Sequence, residues 1–427
     1  MPTPTTRRAF LSSGLTMLAA GVTVPSFINR TAFAVGDPFG QKGVAVDSGT
    51  DGKILVVVQL SGGNDGLNTV VPVGDDAYHA ARPMLRFGPD QVLRISDYVG
   101  LHQSLEPLKA LFDDGRMGIV QGVGYPNPNR SHFTSMDIWH SATPGEAAKS
   151  SGWLGRFFDS QCAGTGANNQ AAGIEQSIDP QIGVSLGESN RLAMQGEQVT
   201  ALSFENPADY RYKGPDADAM AALQLGKAGG DELDFLTRTA MDARVSSDKV
   251  LDAIQGHTPP KDYPRGEFGD GLRTTAAMIR GKLPTRVYYV SLGGFDTHAN
   301  QLNSHARLMQ QFAQGIDAFL ADLRQQGNSE RVAVMTFSEF GRRVQQNASG
   351  GTDHGAAAPM FFFGDRVTPG LLGRHPSLVQ LDNGDLAYTV DFRQCYAAVL
   401  QQWLDTSPEV TAAILGGRWE APTLLRG

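Results

Sequence analysis

Apolar residues in this chain come in short runs, separated by amphipathic stretches and by loops rich in Gly, Asn, Asp and Ser. The run at 54–60, Ile-Leu-Val-Val-Val-Gln-Leu, is strand-sized and β-branched, and its near-uniform apolarity predicts a strand buried on both faces. Ser61-Gly62-Gly63-Asn64-Asp65-Gly66 then turns the chain. Helical spacing follows at 105–112 behind Ser104, with Gly115 as its stop, then a strand at 117–120 and an amphipathic segment at 131–140. Residues 163–230 have weak periodicity and much Gly, Asn, Gln and Ala, so they are expected to form an inserted cap or lobe. Alternation then resumes, with a helix over 232–255, a Pro/Gly-rich connector over 257–270 and a helix over 271–280. A strand over 286–291, a long helix over 302–325, strands over 331–337 and 359–363 and a closing amphipathic helix over 391–404 complete it. Strands alternating with helices predict an α/β fold with a mainly parallel central sheet covered by helices on both faces.

The N-terminus changes where this fold is expected to work. Thr6-Arg7-Arg8-Ala9-Phe10-Leu11-Ser12, a moderately apolar run over 15–28 and Ala32-Phe33-Ala34 read as a twin-arginine signal peptide over 1–34, with cleavage before Val35. The translocase of that route carries folded proteins, so the expected location is periplasmic or secreted. Residues 35–427 are expected to form a single domain with the lobe at about 163–230 inserted. The leader holds three Arg and no acid, leaving 33 basic against 44 acidic side chains and a formal charge of −11. That charge argues against nucleic acid or an anionic membrane as partner. No later apolar run is long enough to span a bilayer. Cys162 and Cys395 are far apart and are read as two separate buried thiols rather than a disulfide.

Ligands of parallel α/β sheets bind at the carboxyl ends of the strands, and polar residues collect there. They are Asn64 and Asp65; Asn129-Arg130-Ser131-His132; Asp296-Thr297-His298; Ser338-Glu339 with Arg342; and Asp353-His354. Each group alone has a plainer reading, as a helix cap, a turn or a surface ion pair. Together, carboxylate and imidazole suit a divalent ion, zinc first, with manganese, magnesium or calcium as alternatives. His79, His257 and His375 are expected to be solvated, and His140 and His305 to fill satisfied positions on helices. His132 stays open as a substrate-binding or proton-transfer group.

Through these motifs, together with Gly152-Trp153-Leu154-Gly155 and Gly294-Phe295, the mature chain resembles the secreted family known as domain of unknown function 1501. That family in turn resembles the alkaline phosphatase and sulfatase superfamily. The resemblance implies an alkaline-phosphatase-like fold and a metal-dependent hydrolase of a phosphate or sulfate ester, its substrate an anionic small molecule or polysaccharide ester. By position it implies that Asp296, His298 and His354 hold one ion, and that Asp65 and Glu339, with Asn64, hold a second at the Ser131 nucleophile. Asp353 joins this metal-site group, Thr134 is the fallback nucleophile, and Arg130 or Arg342 clamps the anionic substrate. Glu339-Phe340 stands in place of the superfamily's Asp-His pair, the Asp-to-His spacing at Asp296-Thr297-His298 is shorter than in the phosphatases, and the sulfatase Cys-x-Pro-x-Arg is absent. The alternative is a non-catalytic periplasmic binding or assembly protein on a degenerate form of that fold.

Overall fold

A computed structural model describes residues 52–144, 150–163, 182–187, 192–197, 199, 201–204 and 251–427. The expected leader, most of the expected lobe and most of the helix expected over 232–255 lie outside the described residues.

The first strand, β1 (Ile54–Leu60), is buried along its whole length, as its uniform apolarity predicted. Its side chains still alternate. Val56 and Val58 enter one apolar cluster, and Leu55 and Val57 enter another on the opposite face. The other strands of the central sheet are β2 (Met117–Gly124), β3 (Gly183–Leu186), β4 (Leu202–Phe204) and β5 (Val287–Leu292), followed by β6 (Val332–Phe337), β7 (Ala358–Phe363), β8 (Gly370–Leu372) and β9 (Val390–Asp391). They are ordered β8-β2-β7-β6-β1-β5-β3-β4, with β9 also paired to β2. β1 is parallel to both β5 and β6, while β7 runs antiparallel to both of its neighbours. The sheet is therefore mainly parallel, as expected. Two stretches within the region read as a lobe, β3 and β4, are parallel strands of this sheet, with β4 at its edge.

Helices cover both faces. On one side pack α1 (Glu106–Asp113), α4 (Glu267–Arg280) and α5 (Gln301–Gln325). Met309, Phe312, Ile316, Phe319 and Leu323 repeat at three- and four-residue intervals along α5, which gives that helix one continuous buried stripe. On the other side pack α2 (His132–Ser141), α3 (Trp153–Ala163) and α6 (Phe392–Ala398). The closing segment continues from α6 into a π-helical turn over Val399–Trp403 and is buried almost all round, so it is a core helix rather than an amphipathic one. Cys395 is a free, buried thiol within it, whereas the Cys162 side chain lies outside the described residues.

The direction of β7 is what assembles the site. β1, β2, β5 and β6 run parallel, so their carboxyl ends lie along one edge of the sheet. β7 runs the other way, so the loop that precedes it reaches the same edge. In this manner Asp65, Ser131, Asp296, Glu339 and His354, dispersed over most of the chain, are brought to one end of the molecule.

Candidate metal centre

The loops at that edge touch through backbone. Gly62 has φ +116°, and a Cβ there would lie 2.5 Å from the Asp296 nitrogen, so the turn after β1 can lie against the turn after β5 only as glycine. Gly351 packs as closely on the other side, where a Cβ would lie 2.2 Å from the His298 carbonyl carbon. Thr352 N–H donates to Thr297 O at 3.2 Å, which ties the loop before β7 to the loop after β5.

Three histidines converge there. His132 opens α2, and its Nδ1 lies 2.8 Å from Oε1 of buried Glu339. His354 Nδ1 lies 2.8 Å from the carbonyl of Arg130, and His298 Nδ1 lies 3.3 Å from Asp353 Oδ1. Carboxylate and carbonyl oxygens only accept, so each contact assigns the ring proton to Nδ1 and leaves Nε2 as a lone pair. Those lone pairs meet. His298 Nε2 and His354 Nε2 are 3.0 Å apart, and they lie 3.0 and 3.1 Å from Asp296 Oδ1. His132 Nε2 lies 3.5 Å from Asp296 Oδ2 and is buried with no hydrogen-bond partner. His132, Asp296 and His354 offer ligand atoms that all lie within 4.8 Å of one another.

Acceptors packed at such distances repel unless a proton or a cation sits among them. Ligand atoms on a tetrahedral ion with bonds of about 2.0–2.1 Å are spaced by about 3.3 Å, close to the spacing here. The outward Nδ1 contacts are those that metal-bound imidazoles make. His132, Asp296 and His354 therefore fit a divalent ion, with His298 Nε2 beside Asp296 and His354. Burial alone would raise the Asp296 carboxyl. The hydrogen bond and charge of Arg342 outweigh burial and hold it at about 2, so the carboxylate is ionised. The Glu339 hydrogen bond, opposed by burial and aided by the charges of Glu339 and Asp296, raises the affinity of His132 for a proton.

The remaining expected residues are placed as follows. Arg342 does not face a substrate. Its side chain is fully buried, donates to the carbonyls of Gly62, Gly63, Phe295 and Thr352, and reaches Asp296 Oδ1 at 2.7 Å. Every guanidinium nitrogen is thereby engaged by protein, which leaves none for clamping an anion. Asp65 is in a fully buried ion pair with Arg82 at 2.6 Å and also accepts from Gln301. Burial opposes ionisation of Asp65, but the charge and hydrogen bond of Arg82 prevail and lower its pKa. Asn64 turns its Oδ1 to Thr69 and His305. Ser131 is the N-cap residue of α2 and is exposed; its side chain makes no capping bond, and Thr134 is exposed one step along the same helix. Arg130 pairs with Asp385, a carboxylate that Arg343 also approaches at 3.5 Å. Arg82, Gln301 and Asp385 carried no local signal of a role, since only burial and distant partners reveal them. Two histidine expectations divide. His305 is buried on α5, as expected, whereas His257 is not solvated but buried against Asp322 at 2.7 Å.

A family model described as a protein of unknown function, DUF1501, matches residues 116–420. No curated protein matches the chain. Among solved structures, similar chains include Ps i-CgsB in complex with k-i-k-neocarrahexaose, at 10% identity and TM-score 0.36, covering 86% of this chain and 72% of that one. The C-terminal periplasmic domain of EcEptC from Escherichia coli, in complex with Zn, is similar at 9% identity and TM-score 0.35, covering 76% and 77%. A protein in the alkaline phosphatase superfamily from Vibrio parahaemolyticus is similar at 9% identity and TM-score 0.34, covering 87% and 73%. Likeness of this degree assigns neither a site nor an activity. The family model, however, spans well over half of the sequence, and the chain belongs to the DUF1501 family.

Proposed function

We propose that this protein is an exported hydrolase of a phosphate or related ester, dependent on one divalent ion, with zinc the first choice. The observation that carries the reading is the convergence of the imidazole Nε2 atoms on Asp296 while each Nδ1 is engaged by an oxygen acceptor. Bound there, such an ion would supply Lewis-acid stabilisation of charge developing on an ester oxygen. His132, His298, His354 and Asp296 would hold it, with Glu339, Asp353 and the Arg130 carbonyl fixing the rings. Ser131, one residue before His132 and exposed, offers the hydroxyl nucleophile, and the first N–H groups of α2 are free to stabilise an oxyanion. Thr134 is the second choice. Arg130, partly exposed and paired with Asp385, is the cation we propose for an anionic substrate.

A second ion is not part of this reading. The Arg342 guanidinium contacts Asp296 where the loops meet, and Asp65 is already neutralised by Arg82. We read Arg342 as a fixed positive charge in place of that ion.

The test is metal analysis of protein purified without chelator, followed by assays on aryl phosphate and aryl sulfate esters. One ion per chain is expected. His354→Ala should lose it with the fold retained. Ser131→Ala should keep it and lose turnover by about 100-fold or more. The buried ion pairs also support a second reading, a non-catalytic periplasmic binding or assembly protein. Absence of both metal and esterase activity would establish that reading in place of the first. For export, Arg7→Lys with Arg8→Lys should retain precursor in the cytoplasm, and undiminished export would exclude the twin-arginine route.

A further inference from the structure

We infer that Gln301 is a positioning residue that locks the two ligand-bearing loops together before an ion arrives; this rests on the metal reading above. Gln301 is the first residue of α5 and is fully buried. Its Oε1 accepts from Thr297 Oγ1 at 3.0 Å and from Thr352 Oγ1 at 2.6 Å. Thr297 lies between Asp296 and His298, and Thr352 lies two residues before His354. One amide oxygen thus uses both lone pairs to join the two loops. Its Nε2 donates to Asp65 Oδ2, which Arg82 holds from the other side. The orientation of the amide is decided by chemistry, because the reversed amide would set an oxygen against the Asp65 carboxylate.

A clamp is needed because the ligand atoms repel. Without an ion, the neutral rings set His298 Nε2 and His354 Nε2 3.0 Å apart as facing acceptors, a repulsion across the two loops. Backbone bonds run along the same seam, from Asn300 N–H to Ser349 O and from Gln301 N–H to Gly350 O. The side-chain clamp sits directly behind the ligands. Holding them at coordination distance leaves little reorganisation for the ion to drive, which raises affinity. The Asp65–Arg82 pair then has a use that does not require Asp65 to ligate. It anchors the donor end of the clamp.

The experiment is zinc affinity of the chain, measured by competition with a chromophoric chelator. Gln301→Met keeps the volume and removes the clamp, and Thr352→Val removes one of its hydroxyls. Each should weaken zinc binding by about tenfold, the low end of what supporting shells contribute. Combined, they should cost clearly less than the product of the two, because both break the same connection. Thr352→Ser, which keeps the hydroxyl, should bind like wild type. Should Gln301→Met fail to fold, the comparison of Thr352→Val with Thr352→Ser decides alone. Wild-type affinity in Thr352→Val, or full multiplicative effects in the double variant, would overturn the clamp while leaving the metal site intact. A wild-type chain that takes up no zinc would instead remove the metal reading, and this inference with it.

Discussion

The side chain of Arg342 shows how a residue's surroundings overrule its apparent purpose. An arginine beside a glutamate at a strand end suggests an anion clamp, yet this one is buried and donates to four carbonyls and one carboxylate. Arg342→Met should therefore destabilise the fold by about 3 kcal/mol or more, because it strands those acceptors and the Asp296 charge. Urea unfolding measures this, and an unchanged midpoint would show that the guanidinium is dispensable. His305 supports a pH prediction. Burial pushes its pKa down to about 3, against an ordinary value of 6.5, so the folded ring is neutral. The unfolded chain binds a proton below pH 6.5 that the folded chain refuses. The contribution to stability is thus full above 6.5 and falls progressively between 6.5 and about 3. At pH 5 the loss from this residue is about 2 kcal/mol. His305→Leu should be less stable at pH 7 but should lose less between pH 7 and pH 5. An equal slope in both proteins would assign acid sensitivity to other groups.

Among elements, the loops are where sequence and structure diverge most usefully. The expected strands and helices that are described lie within about four residues of their bounds, because period and β-branching are local properties of the chain, whereas β3, β4 and α3 were not expected. The loops behave differently. Their residues were singled out as turns, caps or ligands, and contacts between residues from 17 to 277 positions apart decided among those choices. Glu339 lay in a motif that suggested a ligand; at the end of β6 it instead accepts from Gly62 N–H and His132 Nδ1. Glu339→Gln should weaken zinc binding by about 10–100-fold with little loss of fold, as expected for the partner of a ligating imidazole. Gly351→Ala should have a larger effect. Its Cβ would meet His298 backbone at 2.2 Å, so one of the two ligand loops must move. Zinc affinity and the urea midpoint should fall together in that variant, by more than tenfold and by about 1–3 kcal/mol respectively. A variant that binds zinc normally would mean that the loops tolerate separation.

For the whole molecule, an ion bound at one edge of a sheet of nine strands among the described residues would couple metal binding to global stability. Free zinc at about 100 times its dissociation constant should stabilise the chain by about 2.7 kcal/mol, and a chelator should reverse it. His354→Ala should show no such response in the same thermal or urea experiment. Among the described residues no helix is long and apolar enough to cross a membrane. The sequence by itself determined the alternation of strands and helices, the fully buried first strand, and the cluster of Asp296, His298 and His354 with His132 near the strand ends. Those follow from local periodicity and from the rule that parallel sheets place function at their carboxyl edge. Only the tertiary structure decided that β7 runs against its neighbours and so brings His354 to that edge. It also decided that His132 points into the cluster, that Arg82 neutralises Asp65, and that Arg342 and Gln301 lie beneath the ligands. Nothing in a sequence window could reveal these, because a buried polar side chain takes its role from partners that only the folded backbone brings within hydrogen-bond distance.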